Sequence, residues 1–454
     1  MGATDHGDDD GLETTLRQFL ALERDVLVLS VAMFAFSLGF QMTSRYIPRY
    51  MSVLGAGAVA IGLFGTFGNL IGAIYPYPGG AVSDRLGSRV ALTLFGFAST
   101  AGFVIWLFAD AFGVVVVPPV GTTIDVLDRE VVVGWLEPAS IPIGIFLGLL
   151  FAQAWKSFGL GATFAIVKQA VAPDRLATGF ASTETFRRTA FLLGPLFAAG
   201  VLAFFAFETG FRIVLAVAAA FGLAATLTQH VLYDASEDRL GKSFEGVSTV
   251  RSDLRSMPAE LRPLLVADTL VRFANGMVYV FFIIVVTEFL AVGARLPIVG
   301  ALSPDAYFGV LLAVEMLVAL AIMIPVSRLS RRTGLKPVVA LGFAVYALFP
   351  VMLIYAPPNA AVLALLFAFS GLRFAGLPAH KALIVGPAAA GAGGRVTGSY
   401  YLVRNVVVIP SAAIGGAIYA VSPETAFFSA TAIGSAGVAL FLVAGWEFEA
   451  AIAG

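Results

Sequence analysis

The chain has 454 residues, of which 59% are hydrophobic and only 13% charged, and its 28 basic and 29 acidic side chains leave a formal net charge of −1. An ordinary soluble domain carries roughly 25% charged residues, so this composition excludes a usual soluble fold. With no cysteine, disulfides, thiolate metal sites and cysteine catalysis are excluded, and no basic cluster interleaved with aromatics offers a footing for nucleic acid.

Residues 1–25 are acidic and polar, lacking the basic and apolar regions of a cleaved signal peptide, and are expected to be a cytoplasmic tail. From there, apolar windows of about 20 residues, the length that crosses the hydrocarbon core as a helix, recur to the far end. Charges, glycines and prolines divide them into twelve predicted spans. Six, near 26–46, 58–79, 90–109, 139–170, 178–206 and 211–233, make an N-terminal bundle over 26–233. An insertion at about 110–138 interrupts it. Its VVVVPPV stretch, Asp125, Asp128 and Glu130 suit either a folded flap or strand pair outside the membrane or an irregular insertion, and Pro118 and Pro119 would break any helix there. Residues 234–262 carry mixed charges without a long apolar run and read as a cytoplasmic linker. The second six, near 263–290, 306–327, 337–356, 360–386, 395–420 and 423–446, make a C-terminal bundle within 263–454.

The predicted fold is therefore an all-α polytopic membrane protein, with 12 transmembrane helices as two pseudo-symmetric six-helix bundles. A transmembrane β-barrel would need short segments of strict alternation, which do not dominate. Basic residues in short loops stay on the cytoplasmic side. With both termini cytoplasmic, that side receives Arg85, Arg89, Lys168, Arg175, the linker cations, Arg328, Arg331, Arg332, Lys336 and Arg395, while the outer side has Arg45, Arg49, Arg129, Arg212 and Arg295.

Between spans 2 and 3 lies Gly80-Ala81-Val82-Ser83-Asp84-Arg85-Leu86-Gly87-Ser88-Arg89, expected as a tight charged turn. A degraded copy follows at Ser327–Lys336, where Arg332, Gly334 and Lys336 stand 247 positions (334 minus 87) after Arg85, Gly87 and Arg89. A second repeat pairs Lys156-Ser157-Phe158-Gly159-Leu160-Gly161-Ala162 with Arg373-Phe374-Ala375-Gly376-Leu377-Pro378-Ala379, offset by 217 (373 minus 156). Arg188 and Arg404 are offset by 216 (404 minus 188), with Gly194-Pro195 near Ile409-Pro410.

The pattern G-x-x-x-D-R-x-G-x-R over residues 80–89 resembles the signature loop between helices 2 and 3 of the major facilitator superfamily of secondary transporters. The resemblance extends over Asp25–Trp446. It implies two bundles related by an axis along the membrane normal, rocking about a midplane site. It also implies that Gly80, Asp84, Arg85, Gly87 and Arg89 belong to a cytoplasmic latch that holds the outward-facing state. Arg332, Gly334 and Lys336 contribute the second copy. That copy has Arg331 where the acid would be and Ser327 in place of the first glycine, so the latch is expected to be asymmetric. Lys156 resembles the basic residue of the family's span-4 motif. Arg188, Gly194 and Pro195, with Gly200 beyond, are similar in part to the antiporter motif of drug exporters, although Ala198-Ala199 replaces its closing glycine pair.

A cation near the middle of a span costs about 2.5–3.5 kcal/mol on insertion scales and so faces protein or a water-filled cavity. Lys156, Arg373, Arg404 and Asn405 are the candidate substrate-binding residues, with Gln41, Asn69, Tyr75, Gln153, Trp155, Asn275, Tyr279, Tyr400 and Tyr401 as further possible cavity groups. The alternative for the cations is a structural one, pairing with acids or carbonyls between helices. The acids are Glu184, Asp268 and Glu315, the candidates for proton coupling. Glu184–Arg188 and Asp268–Arg272 are spaced i, i+4 and can neutralise themselves. Glu315 has no partner at that spacing. Counting Lys156, Arg187, Arg188, Arg272, Arg373 and Arg404 against these acids leaves an excess of three positive charges, which favours an anionic solute.

The expected function is secondary active transport of a small organic solute, coupled to H+ in preference to Na+, by a multi-pass monomer of the plasma membrane with no cofactor and no metal. No G-x-x-x-x-G-K-[ST] loop is present, so an ion gradient would supply the energy. The alternatives are a drug/proton antiporter of the efflux type and a non-transporting sensor or scramblase. A membrane enzyme has no catalytic constellation to support it.

Overall fold

The computed structural model describes residues 24–126, 129–135, 138–158, 176–233, 258–297, 300–385 and 393–446. Among these residues, nine helical stretches are long and apolar enough to cross a bilayer, and Ala58–Ile74 and Ile143–Phe158 are shorter apolar helices. The first half comprises α1 (Arg24–Thr43), α2 (Ile47–Val53), α3 (Ala58–Ile74), α4 (Pro76–Leu86), α5 (Ser88–Leu107), α6 (Ile143–Ala152), α7 (Ala154–Phe158), α8 (Leu176–Leu202) and α9 (Phe207–Leu232). The second comprises α10 (Leu261–Val278), α11 (Pro304–Thr333), α12 (Leu335–Ile354), α13 (Ala360–Gly371), α14 (Leu377–Val385), α15 (Gly393–Val408), α16 (Ser411–Val421) and α17 (Pro423–Ala444). The pseudo-symmetry is visible in the packing, since α9 lies against α1 and α5 as α17 lies against α10 and α12.

Several boundaries differ from the sequence expectation, each for a local reason. The first span does not end at 46 but continues through α2 to Val53, because Pro48 sits in the first turn of a new helix where its missing N–H costs nothing. Arg49 is thereby drawn out of the expected loop into the span, and Arg45, expected at the span's outer end, is enclosed within it. The segment at 80–89 is not a turn throughout. It stays helical to Leu86 and reverses at Gly87 alone, whose φ of +83° is accessible to glycine without strain. Gly334 does the same at φ +87° between α11 and α12, so the repeat read in sequence is also a repeat in backbone geometry.

The insertion at 110–138 contains strands. Val114–Val117 (β1) pairs antiparallel with Ala139–Pro142 (β4), and Val120–Val126 (β2) with Arg129–Trp135 (β3). Residues 139–142 therefore belong to a strand, and the fourth span begins at Ile143, four residues later than expected.

The two halves meet most extensively through two pairs of helices. α3 crosses α16, and α8 packs on α11. At the first crossing a Cβ on Gly62 would lie 2.5 Å from the Ala412 carbonyl oxygen, and one on Gly416 2.9 Å from Gly62 Cα. Backbones so close leave no room for a side chain, which is how helices associate inside a membrane. Gly62→Val is expected to force this crossing apart and to cost about 1–3 kcal/mol. Thermal unfolding of the purified protein measures it, with Gly72→Val, which has no neighbour within 4 Å of its Cβ, as the substitution that leaves the midpoint in place.

Candidate functional site

Helix breaks near the middle of the spans place the site. α10 ends at Val278, a short 3-10 segment runs Tyr279–Phe281, and a π segment covers Val285–Phe289. In the tenth span, α13 gives way to a 3-10 turn at Leu372–Phe374 that carries Arg373. In the fourth, α6 is interrupted at Gln153, just before Lys156. The eleventh breaks at Pro410 between α15 and α16. Irregular backbone of this kind is tolerated at membrane depth where it is covered by protein or lines a cavity.

A cavity of about 290 Å³ lies between α3 of the first half and α10, α15 and α16 of the second. Its walls include Asn69, Arg272, Asn275, Tyr279, Arg404 and Asn405, with Gly65, Gly276 and Ala412 where the helices approach. Of the residues proposed from sequence, Asn69, Asn275, Tyr279, Arg404 and Asn405 line it. Trp155 is instead buried, with its indole N–H donating to Gln229 at 3.4 Å, and Tyr75 donates to the Leu150 carbonyl at 3.0 Å. Lys156 is exposed, its ammonium 4.2 Å from the centroid of the Phe40 ring, and Arg187 is its charged neighbour. Arg188 is half-buried. The side chains of Glu184 and Asp84 lie outside the described ones.

Behind the cavity wall, Asp268 has no exposed surface and collects donors from three helices. It accepts from Arg272 Nε at 3.3 Å, the i, i+4 pair expected from sequence, and from Arg404 Nη1 at 3.1 Å. Tyr400 donates to it at 3.2 Å, and His380 Nε2 lies 3.3 Å from its Oδ2 and 3.3 Å from the Tyr400 hydroxyl. Arg404 also donates to Asn405 Oδ1 at 3.2 and 2.9 Å.

A second cluster holds Glu315, which has a partner that helical spacing could not reveal. Arg373, buried like Glu315, pairs with its carboxylate, and Ser370 donates to the other oxygen at 3.2 Å. Tyr346 joins the clusters. Its hydroxyl accepts from Arg272 at 2.9 Å, and its ring lies 4.6 Å from the Arg272 guanidinium and 5.2 Å from that of Arg373.

At the end of the molecule holding α2, Arg49 bridges the halves. It pairs with Glu288, and its Nε donates to Asp305 at 3.0 Å. Ser52 donates to Glu288 at 2.6 Å, and Tyr46 to the Asp305 carbonyl at 3.3 Å. Arg85 and Arg332, at the opposite end, are exposed, while Arg89 and Lys336 are half-buried and Gly80 has open space where a Cβ would stand. Gly194 and Pro195 of the fifth span serve as packing points. A Cβ on Gly194 would meet Gln41 and Met42, and the Pro195 carbonyl faces Gly309. His380, Tyr346 and Arg49 escaped the sequence reading because their partners are more than 20 residues away or, for His380, follow no helical spacing.

Apolar helices, nine of them among the described residues long enough to cross a bilayer, broken around a polar cavity, define a polytopic helical fold. The profile of the Major Facilitator Superfamily matches residues 4–124. An uncharacterised MFS-type transporter of Methanocaldococcus jannaschii is 22% identical over 425 residues, covering 93% of this chain and 95% of its own. The structure of the nucleoside transporter NupG superposes with a TM-score of 0.70 at 12% identity over 92% of this chain and 99% of its own. A POT family transporter in complex with 5-aminolevulinic acid gives 0.67 at 14% identity over 93% and 95%. The chain is thus similar to the major facilitator superfamily over its first part, to an MFS-type transporter over most of its length, and in fold to solved transporters.

Removing one partner of a buried ion pair costs about 3–5 kcal/mol, because the charge left behind is uncompensated. Asp268→Asn strands Arg272 and Arg404 together. It is expected to lower the thermal midpoint by an amount near the low end of that range, since both arginines keep contact with the cavity. Adding Arg404→Gln should restore part of the loss, and differential scanning fluorimetry on the purified variants reads both.

Proposed function

We propose that the protein is a secondary active transporter that moves a small anionic organic solute across the plasma membrane by alternating access, coupled to protons. The observation that carries this reading is the cavity between the halves. Two guanidinium groups and three carboxamides converge on it, and Asp268 is the acid directly behind it. Guanidinium forks match carboxylate geometry, and Asn69, Asn275 and Asn405 can both donate to and accept from a polar solute body. The nucleoside and peptide transporters of similar fold support a small polar solute.

The contacts between the halves support an orientation and a state. Arg49 with Glu288 and Asp305, Gly62 with Gly416, and Gly309 with Pro195 all lie toward one end, while Arg85 and Arg332 are exposed at the other. With the linker and both termini cytoplasmic, this is an inward-facing arrangement whose outer latch is Arg49. The signature residues around Asp84, Arg85 and Arg89 would engage with the copy around Arg332 and Lys336 when the protein turns outward.

Proton coupling fits the Asp268 cluster better than Glu315, which Arg373 and Ser370 already hold away from the cavity. His380 faces Asp268 on α10, Tyr400 on α15 and the Phe343 ring of α12, and its two ring nitrogens can accept and pass on a proton. An anion on Arg404 would draw that cation from Asp268 and leave the carboxylate free to stabilise a protonated His380. Solute and proton would then bind together. In proteoliposomes loaded with a carboxylate that thermal shift identifies as a ligand, an imposed pH gradient is expected to drive uptake by the wild type. His380→Gln should keep flux down the solute gradient and lose the response to pH; an unchanged response would remove His380 from the coupling path.

A further inference from the structure

Among the described residues, Arg45 is a charged group near the cavity for which neither a loop nor a latch accounts. It follows α1 in the turn before α2, and among the described residues it joins no ion pair. Its Nη1 is fully buried and has no hydrogen-bond partner. The guanidinium lies 4.0 Å from the centroid of the Tyr279 ring. A face-on aromatic attracts a cation but satisfies none of its N–H donors. Its charged neighbours are Glu315, which attracts it, and Arg373, which repels it and already occupies that carboxylate. Two cations thus share one acid, and a positive charge with an unused donor is left over inside the protein. Such an arrangement is costly unless an anion completes it.

Tyr279 gives the direction from which an anion would come. It lines the cavity and is 38% exposed, with Arg45 against its ring. It also begins the 3-10 break after α10: its N–H closes the last α-helical bond, to the Asn275 carbonyl, and its own carbonyl accepts from Phe282 in the tighter 3-10 pattern.

We propose that Arg45 is the first half's binding residue for the oxyanion group of the transported solute, held under Tyr279 until the solute is in the cavity. This rests on the reading of that cavity as the solute site. Arg272 and Arg404 belong to the second half, so an oxyanion shared with Arg45 would be a bridge between the halves, which is the contact an occluded state requires.

A residue kept for a ligand at the expense of stability behaves oppositely to a structural one. The test is thermal unfolding of the full chain in detergent for wild type, Arg45→Met and Arg45→Lys, each alone and with benzoate, lactate, inorganic phosphate or neutral uridine. Without additive, Arg45→Met is expected to melt several degrees above the wild type, because a flexible apolar chain replaces an uncompensated cation. At least one anion should raise the midpoint of the wild type and of Arg45→Lys, and none that of Arg45→Met. Benzoate and lactate against phosphate identify which oxyanion is taken. If Arg45→Met melts below the wild type or fails to fold, Arg45 is structural and the inference is wrong. Equal stabilisation of Arg45→Met and wild type by an anion also overturns it while leaving the cavity as the anion site. If no anion shifts the wild type, the anionic reading of the cavity falls and the inference with it.

Discussion

The structure depends on how it buries charge in an apolar bundle. Asp268, wholly enclosed, is the counter-charge to Arg272 and Arg404, and both arginines line the cavity. An isolated carboxylate at that depth would be prohibitively costly, and so would either guanidinium. Each exists because the other is there. The pairing is also incomplete by design of geometry, since one acid faces two arginines, Tyr400 and His380 together. Any anion that enters the cavity competes for the same donors, so binding at the surface of the cluster is felt by the groups behind it.

The clusters around Asp268 and Glu315 are not independent. Tyr346 touches Arg272 through its hydroxyl and Arg373 through its ring, and both clusters draw on the helix breaks of spans 7 and 10. Regular helices could not bring Arg373, on a 3-10 turn, against Glu315 in the middle of α11 without displacing α13. A Cβ on Gly371 would lie 2.5 Å from the Glu315 carbonyl oxygen, so close approach of the two helices is part of the same device. Glycine contacts of this type hold the halves together on the α2 side of the cavity, where Arg49 adds a charged clasp.

Much of the architecture was legible in the chain because apolar runs, breaking prolines and the duplicated Gly87 and Gly334 are local signals. The i, i+4 pair of Asp268 and Arg272 was legible for the same reason. What was not legible required distance. Glu315 looked solitary because Arg373 is 58 residues away, and Arg49 looked like a loop cation because Glu288 and Asp305 are 239 and 256 residues away. Pro48 restarting a helix moved Arg49 into the span and enclosed Arg45, which the sequence had placed at the span's outer end. In the insertion, valine runs and paired prolines left a strand pair open but favoured an irregular insertion, and the register of β1 with β4 decides for strands.

The central claim is that one cavity, flanked by two halves, opens to one side at a time. The absence of natural cysteine makes it directly measurable through a single reporter at Asn405→Cys. In right-side-out and inside-out vesicles, a membrane-impermeant maleimide is predicted to label this cysteine from the signature-turn side. Adding Arg49→Gln should open labelling from the α2 side at the expense of the first. Simultaneous labelling from both sides in the unmodified background would describe a pore, and labelling from the α2 side alone would place the closed end opposite to the one assigned here.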